Sequence, residues 1–433
     1  MRKESRMNQD IQHVFIVGAK SFGAYGGYET FIDKLTEYHQ NCPQIQYHVA
    51  CKANGNGAMD VSKASCTADV QKNSTGETES FTYHNAHCFM IRVPDIGPAQ
   101  AVFYDLAALW KCCRYIEQHR IPHPIVYILA CRIGIFAPFF YRWIKRLGGT
   151  LFINPDGHEW MRTKWNRLIR KYWKFSEEIM VRHSDLVVCD SVNIEKYIHS
   201  NYAEKGPHSA NPATTYIAYG AEVRESIQNN EALLQWYQEN GLHTKSYYLI
   251  VGRFVPENNY ETMIREFLVS RSTRSLVIIA NTNEKLQQEL EARLHYRSDP
   301  RIRFVGTVYD QKLLAEIRKN AFAYLHGHEV GGTNPSLLEA LGATDLSLLL
   351  DVPFNREVAD DAALYWTKEE HMLADLINAC DQMEPAAITA FGVRAKNRII
   401  EHYSWQFIAD QYLRLFCNGN PPAQNNRDNY VDK

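Results

Sequence analysis

His326-Gly327-His328-Glu329-Val330-Gly331-Gly332-Thr333-Asn334-Pro335-Ser336-Leu337-Leu338-Glu339-Ala340-Leu341 is the stretch whose reading decides the fold. The apolar run before it, Ala321-Phe322-Ala323-Tyr324-Leu325, reads as a buried strand. Gly331 and Gly332 make a turn, and Asn334-Pro335 put a capping side chain and a proline at a helix start. A strand, a glycine turn and a helix start gather backbone N–H groups at the positive end of a helix dipole. Such a place suits an anion, by about 0.3–1 kcal/mol when exposed and up to about 2 kcal/mol when partly buried. Glu339, early in the same helix, is placed to accept hydrogen bonds from hydroxyls attached to that anion. Phosphate with neighbouring hydroxyls describes a nucleotide or a nucleotide-sugar. The plainer reading is a strand–helix junction that binds nothing, and the rest of the chain decides between the two.

With 433 residues the chain is long enough for two domains, each burying its own core. Its net charge of −2 argues against nucleic acid as a partner, because nucleic-acid domains are clearly basic. The ten cysteines show no C-x-x-C or metal-ligand spacing and read as reduced, mostly buried thiols of a cytoplasmic protein. The charged opening Met1-Arg2-Lys3-Glu4-Ser5-Arg6 does not read as a signal peptide. Residues 125–144 are largely apolar but carry Arg132, Gly134 and Pro138 centrally. A mid-bilayer arginine costs roughly 2.5–3.5 kcal/mol, so a strand, a turn and a short buried helix are the simpler reading.

Upstream, Val14-Phe15-Ile16-Val17-Gly18 is a second buried-strand run, followed by a loop whose Gly26-Gly27 open a helix. Glycines there let a diphosphate approach the backbone, although a turn explains them equally well and the spacing is not G-x-G-x-x-G. Residues 54–80, rich in Gly, Ser, Thr, Asn and Lys, read as a poorly ordered loop or edge excursion. The strand Leu151 to Asn154 opens onto Pro155-Asp156-Gly157-His158-Glu159-Trp160. Asp156, His158 or Glu159, at the strand edge where open α/β sheets bind ligands, can serve as a base or a hydroxyl-orienting acceptor; the alternative is a turn and helix cap.

Residues 160–175 fit an amphipathic helix with Met161, Trp165, Leu168, Ile169 and Tyr172 on one face and five basic residues opposite. Its basic face meets solvent or an anionic membrane, a peripheral contact worth roughly 1 kcal/mol per basic residue. Residues 204–213 read as a linker. A second run of strand–helix alternation begins at Tyr247-Tyr248-Leu249-Ile250-Val251-Gly252-Arg253-Phe254-Val255-Pro256-Glu257-Asn258-Asn259, where Arg253 at a strand exit suits a bidentate phosphate contact or a surface ion pair. Asn355, Arg356 and Glu357 are either substrate contacts or a cap with an ion pair. Two such runs predict an α/β protein with two doubly wound domains.

With these motifs in view, the chain resembles the retaining glycosyltransferases of family 4, of GT-B architecture: two Rossmann-like domains facing across a cleft. The resemblance covers roughly Val14 to Phe416 and rests on Gly26 to Thr30, Asn154 to Trp160, Val251 to Asn259 and Gly331 to Glu339. Among these enzymes the likeness is greatest to bacterial rhamnosyltransferases of capsule and cell-wall polysaccharide assembly. It implies an acceptor-side domain over 1–215, to which helix 404–417 returns, a nucleotide-sugar-binding domain over 216–403, and a disordered tail over 418–433. Donor contacts would come from Gly26, Gly27, Arg253, Asn258, Gly332, Thr333, Asn334 and Glu339. Glu339 matches the second glutamate of the family's E-x7-E motif and would hold the ribose; Arg253 matches the arginine on the diphosphate. Asp156, His158 and Glu159 would act on the acceptor hydroxyl. The resemblance implies no metal and no cofactor: arginine, helix dipole and N–H groups offset the leaving group's charge. The expected donor is a dTDP-sugar, L-rhamnose first, and the acceptor a lipid-linked saccharide at the inner face of the plasma membrane.

Two departures from the family pattern stand out. The first-glutamate position is Gly331, with Glu329 two residues early, leaving backbone N–H groups near Thr333 or the Asn334 side chain to grip the sugar. Asn258 or Asn259 replaces a phosphate-binding lysine, with Lys20, Arg132 and Arg356 as alternative cations. Two other readings remain: a dinucleotide-dependent oxidoreductase, invited by Val14 to Gly27, and a non-catalytic sugar-nucleotide-binding protein, invited by the missing glutamate.

Overall fold

Contiguous apolar runs become two buried parallel sheets, one in each of two units of the chain. The computed structural model describes residues 11–23, 26–62, 67–162, 165–203, 212–224, 230–281 and 283–419. One unit gathers residues up to Trp160, Arg167–Ala218 and the stretch from Trp405; the other gathers Met161–Asn166 and Tyr219–Ser404.

The first unit contains β1 (Gln12–Val17), α1 (Gly27–His39), β2 (Ile45–Lys52), β3 (Thr67–Lys72), β4 (Thr78–Tyr83), β5 (Ala86–Ile91), α2 (Gln100–His119), β6 (Ile125–Leu129), α3 (Ala137–Arg146), β7 (Thr150–Asn154), α4 (Arg167–Arg182), β8 (Leu186–Cys189), α5 (Val192–Tyr202) and β9 (Thr214–Tyr216). Its sheet runs β3-β4-β5-β2-β1-β6-β7-β8-β9 and is parallel from β5 to β9. At Gly18 an added Cβ would lie 2.3 Å from the Leu129 carbonyl oxygen, and φ is +119°, so only glycine lets β1 end against β6.

The second unit contains α6 (Glu231–Asn240), β10 (Tyr247–Val251), α7 (Tyr260–Val269), β11 (Ser275–Ile279), α8 (Glu284–Leu294), β12 (Ile302–Phe304), α9 (Gln311–Asn320), β13 (Ala323–His326), α10 (Pro335–Ala343), β14 (Ser347–Leu350), α11 (Pro353–Ala359), β15 (Leu364–Trp366), α12 (Met372–Asp381) and α13 (Pro385–Arg398). Its all-parallel sheet runs β12-β11-β10-β13-β14-β15. Alternate residues of β10 feed the two cores on either face, with Tyr248 and Ile250 on one side and Tyr247, Leu249 and Val251 on the other. Both buried phenols are satisfied: Tyr247 donates to the Ile317 carbonyl at 2.7 Å and Tyr248 to Asp381 Oδ1 at 2.7 Å. The last helix, α14 (Trp405–Asn418), packs in the first unit, where His39 Nε2 meets the Ala409 carbonyl at 3.0 Å and Phe31 packs on Tyr412.

Several expectations require correction. Of the two readings of residues 54–80, the edge excursion holds and the loop does not: β3 and β4 form an antiparallel extension of the sheet edge. The exposed, polar faces of β3 gave no apolar alternation to read. The helix expected over 160–175 begins only at Arg167 and continues to Arg182. Its buried residues are Ser176, Glu177, Met180 and Val181, whereas Leu168 is 78% exposed. α3, expected as a buried helix, buries Phe140 and Ile144 but leaves Phe139 exposed. Strand β15 was not anticipated, because three residues carry too little pattern. The expected linker over 204–213 lies outside the described residues except 212 and 213; the tail from 420 onward lies outside them entirely. Among the described residues no helix is long and apolar enough to cross a membrane, and the nine cysteines that lie among them, of the ten in the sequence, are free, seven of them buried.

Candidate functional site

In the six-stranded sheet the strand order reverses between β10 and β13, and the loops leaving these two strands flank a topological switch point. Asparagines staple those loops together. Asn258 Nδ2 donates to the Arg253 carbonyl at 2.8 Å, and its Oδ1 accepts from His328 Nδ1 at 2.7 Å. Asn259 Nδ2 donates to the Gly327 carbonyl and to Glu329 Oε2, both at 2.7 Å. Gly327 permits this approach, since a Cβ there would lie 2.6 Å from the Asn258 carbonyl oxygen. Burial, then the charges of Arg162 and Arg253, lowers the His328 pKa to about 3. The ring is therefore neutral and its Nδ1–H donates.

Beyond the β13 exit the chain turns through Gly331, at φ +140°, into α10. Gly331, Gly332 and Thr333 are buried, and the amides of Gly331 and Gly332 make no hydrogen bond among the described residues. Asn334 caps the helix, its Oδ1 accepting from the amides of Ser336 at 2.9 Å and Leu337 at 3.3 Å. Ser336 Oγ and Tyr324 Oη both donate to the Val251 carbonyl, tying α10 to the end of β10. Glu339 Oε2 lies 2.7 Å from Nη1 of Arg318, whose side chain is 2% exposed, while that of Glu339 is 31% exposed. Arg318 Nη2 also donates to Ser336 Oγ at 3.1 Å. One side of the Glu339 carboxylate is thus anchored and the rest reaches solvent. His326 Nε2 is buried with no hydrogen-bond partner among the described residues, and burial lowers this imidazole to about 3.

Other residues singled out in this unit are engaged elsewhere. Glu329 pairs with Lys368 as well as with Asn259. Arg356 forks onto Asp351 and stacks over Tyr365 at 4.1 Å, and Asn355 is buried, donating to the carbonyls of Leu350 and His328. Arg318 and Lys368 were missed by sequence reasoning. Arg318 looks like an ordinary helix-surface charge in the sequence, and Lys368 lies 39 positions from its partner.

In the nine-stranded unit the order reverses between β1 and β6, with β7 alongside. Gly26 is the N-cap of α1 and Gly27 its first residue; the Glu29 carboxylate folds back to accept from the Lys20 amide at 3.1 Å. A Cβ on Gly26 would meet Glu29 Oε2 at 2.2 Å. Arg132 is committed to the fully buried Asp105 at 3.1 Å and to the Gly18 carbonyl. After β7, Asn154 Oδ1 accepts from the Asp156 amide at 2.9 Å, and Asp156 Oδ1 accepts from the Gly157 amide at 2.8 Å. Asp156 and His158 both take positive φ, 59° and 51°. His158 is buried against the Tyr197 ring, 4.2 Å between centroids, and burial followed by the Lys174 charge lowers it to about 4. Behind it Tyr197 and Tyr202 both donate to Glu177, whose pKa burial raises, and Lys174 lies over the rings of Trp160, Tyr197 and Tyr202. This brace was not read from the sequence, since α4 and α5 supply it from positions 20 or more residues apart. Glu159 opens the short turn Glu159–Met161 and is half-buried.

Sucrose-phosphate synthase from Thermosynechococcus elongatus superposes with a TM-score of 0.67 at 15% identity, covering 94% of this chain and 98% of that one. The chain has the GT-B fold. A glycosyltransferase from Rickettsia africae ESF-5 gives 0.68 at 12% identity, with 94% and 98% covered. HepE of Anabaena, solved in complex with UDP-glucose, gives 0.64 at 12% identity, with 94% and 100% covered. The family model described as Domain of unknown function (DUF1972) matches residues 11–222, from β1 through β9. No curated protein matches the chain in sequence.

Proposed function

We propose that the chain is a glycosyltransferase whose six-stranded unit binds a nucleotide-sugar at the β10/β13 switch point. The observation that carries this is the Glu339 carboxylate, anchored by buried Arg318 beside the Gly331–Gly332 entrance of an Asn334-capped helix. Glu339 accepts from the ribose hydroxyls. Arg253 and the amides around Gly332 and Thr333 hold the diphosphate, and Asn258 keeps the Arg253 loop in place. Solved proteins of the same fold support the class, HepE having been captured with UDP-glucose. In the nine-stranded unit Asp156, His158 and Glu159 receive the acceptor saccharide. Either the neutral His158 ring or Asp156 orients its hydroxyl before the proton leaves.

The finer reading is transfer with retention and without metal, the leaving diphosphate oxygen taking the acceptor proton on the face of attack. L-rhamnose from dTDP is the first donor to try, and a lipid-linked saccharide at the cytoplasmic face of the membrane is the acceptor, in cell-surface polysaccharide synthesis. Incubation of the purified chain with dTDP-rhamnose, UDP-glucose and GDP-mannose, with and without lipid-linked acceptors, tests this. Release of the nucleoside diphosphate or glycosylated lipid is the expected result. A folded protein that neither hydrolyses nor transfers from any of them contradicts it. Against an oxidoreductase, the end of β2, where a ribose-binding acid would sit, holds buried Lys52, bonded to Gln100 Oε1 and the Asn56 carbonyl.

A further inference from the structure

Within the nine-stranded unit, α3 packs against both α2 and α4. These neighbouring segments leave Trp110 on α2, Phe139 on α3, Leu168 and Phe175 on α4, and Ile135 and Phe136 in the turn before α3 between 45% and 78% exposed. At Gly134 a Cβ would lie 2.4 Å from Ser176 Cα, so the turn holding Ile135 and Phe136 is pressed against the turn of α4 that carries Phe175. Trp110 meets Trp143 edge-on at 4.9 Å, and these rings with Phe139, Arg142 and Arg146 line one groove. Scattered apolar residues on a surface are ordinary; six large ones on adjoining segments are not.

The acids of α2 and α4 are buried or paired, Asp105 with Arg132, Glu117 with Arg114, Glu178 with Arg182 and Glu177 beneath Tyr197 and Tyr202, which leaves basic groups as the unpaired charges of this patch. Residues 137–146 contain three basic residues and no acid, and residues 167–175 contain four basic residues and no acid, in a chain of net charge −2. Arg142, Arg146 and Lys171 take part in no ion pair among the described residues, so their charge is open to a partner. A second copy of the chain docked symmetrically would set these basic groups against each other, which disfavours a self-complementary interface. Aromatic and aliphatic side chains standing among unpaired guanidinium and ammonium groups instead match the interface of an anionic bilayer.

We infer that the face formed by α2, α3 and the start of α4 docks on anionic lipid. The apolar side chains enter the headgroup–acyl boundary, and Arg142, Arg146 and Lys171 lie at the phosphates. This differs from an amphipathic helix lying on the membrane by its basic face alone, because here apolar residues of adjoining segments insert together. Flotation of the full chain with vesicles tests it without any sugar donor, so failure here is distinguishable from failure of the transferase reading. The chain floats with phosphatidylcholine–phosphatidylglycerol vesicles and not with phosphatidylcholine alone, and added salt releases it. Each of Arg142→Gln, Arg146→Gln and Lys171→Gln weakens partitioning about fivefold. Leu168→Ser with Phe139→Ser weakens it at any salt concentration, with the melting temperature unchanged. No flotation with the anionic vesicles, equal flotation with both vesicle types, or a lipid-free dimer dissolved by the Leu168 and Phe139 changes would overturn the inference. The wild-type comparison needs no variant to fold.

Discussion

Arg318 Nη1 and Glu339 Oε2 lie 2.7 Å apart, joining α9 to α10 across 21 positions of sequence. The guanidinium is buried, the carboxylate only partly so, and the pair fixes which way Glu339 faces. A carboxylate held on one side by a cation presents its remaining lone pairs in a defined direction, which is what recognition of two adjacent hydroxyls needs.

Glu339→Gln keeps the size and a hydrogen bond but removes the charge. We expect donor affinity to fall by about 1.5–3 kcal/mol, roughly ten- to a hundredfold, and the melting temperature to fall as well, because buried Arg318 loses its counter-charge. Titration calorimetry against the best donor measures it. Unchanged affinity removes Glu339 from the site.

Arg318→Met deletes the anchor and strands the carboxylate. Because Glu339 is partly solvated, the loss of stability is about 1–2 kcal/mol rather than the 3–5 kcal/mol of a wholly buried broken pair. Urea unfolding checks the stability, and a matching fall in donor affinity separates positioning from simple folding.

Arg253→Lys retains charge and loses the two-pronged geometry. A donor diphosphate bound by a fork should be weakened about tenfold, whereas a point-charge contact would tolerate the change. The ratio of affinities for the nucleoside diphosphate and the nucleoside alone reads this directly.

Acidification should destabilise the fold. His158 and His326 are buried with values of about 4 and about 3, below the ordinary value of about 6.5 for a free imidazole. The unfolded chain therefore takes up protons first as pH falls below 6.5. Stability present above that value is lost between 6.5 and the folded values, at roughly 1.4 kcal/mol per pH unit per imidazole. Urea midpoints at pH 7 and pH 5 report it, and equal midpoints would contradict it. If the His158 ring acts on the acceptor, the acid limb of kcat/KM lies near 4 rather than 6.5.

The strand runs were legible because parallel strands buried on both faces are nearly continuous apolar stretches: the strand expected from Leu151 to Asn154 is β7, Thr150–Asn154. A helix start marked by a capping side chain is equally clear, as at Asn334 before α10. The GT-B fold expected from the motifs is the fold observed. What escaped was whatever depends on partners distant in sequence. Neither the link from Arg318 to Glu339, nor that from Lys368 to Glu329, nor the phenols on Glu177 leave any local signature. The α4 register failed for a related reason. Its apolar residues divide between core and surface, so Leu168 reads as core although it is exposed.

Calorimetric titration of the wild-type chain and of Glu339→Gln and Arg253→Met with dTDP-rhamnose, UDP-glucose and GDP-mannose tests the donor site most directly. The account predicts that at least one donor binds the wild type and that both variants, still folded at the titration temperature, bind it at least tenfold more weakly. Binding of no donor, or equal binding by all three proteins, would contradict it.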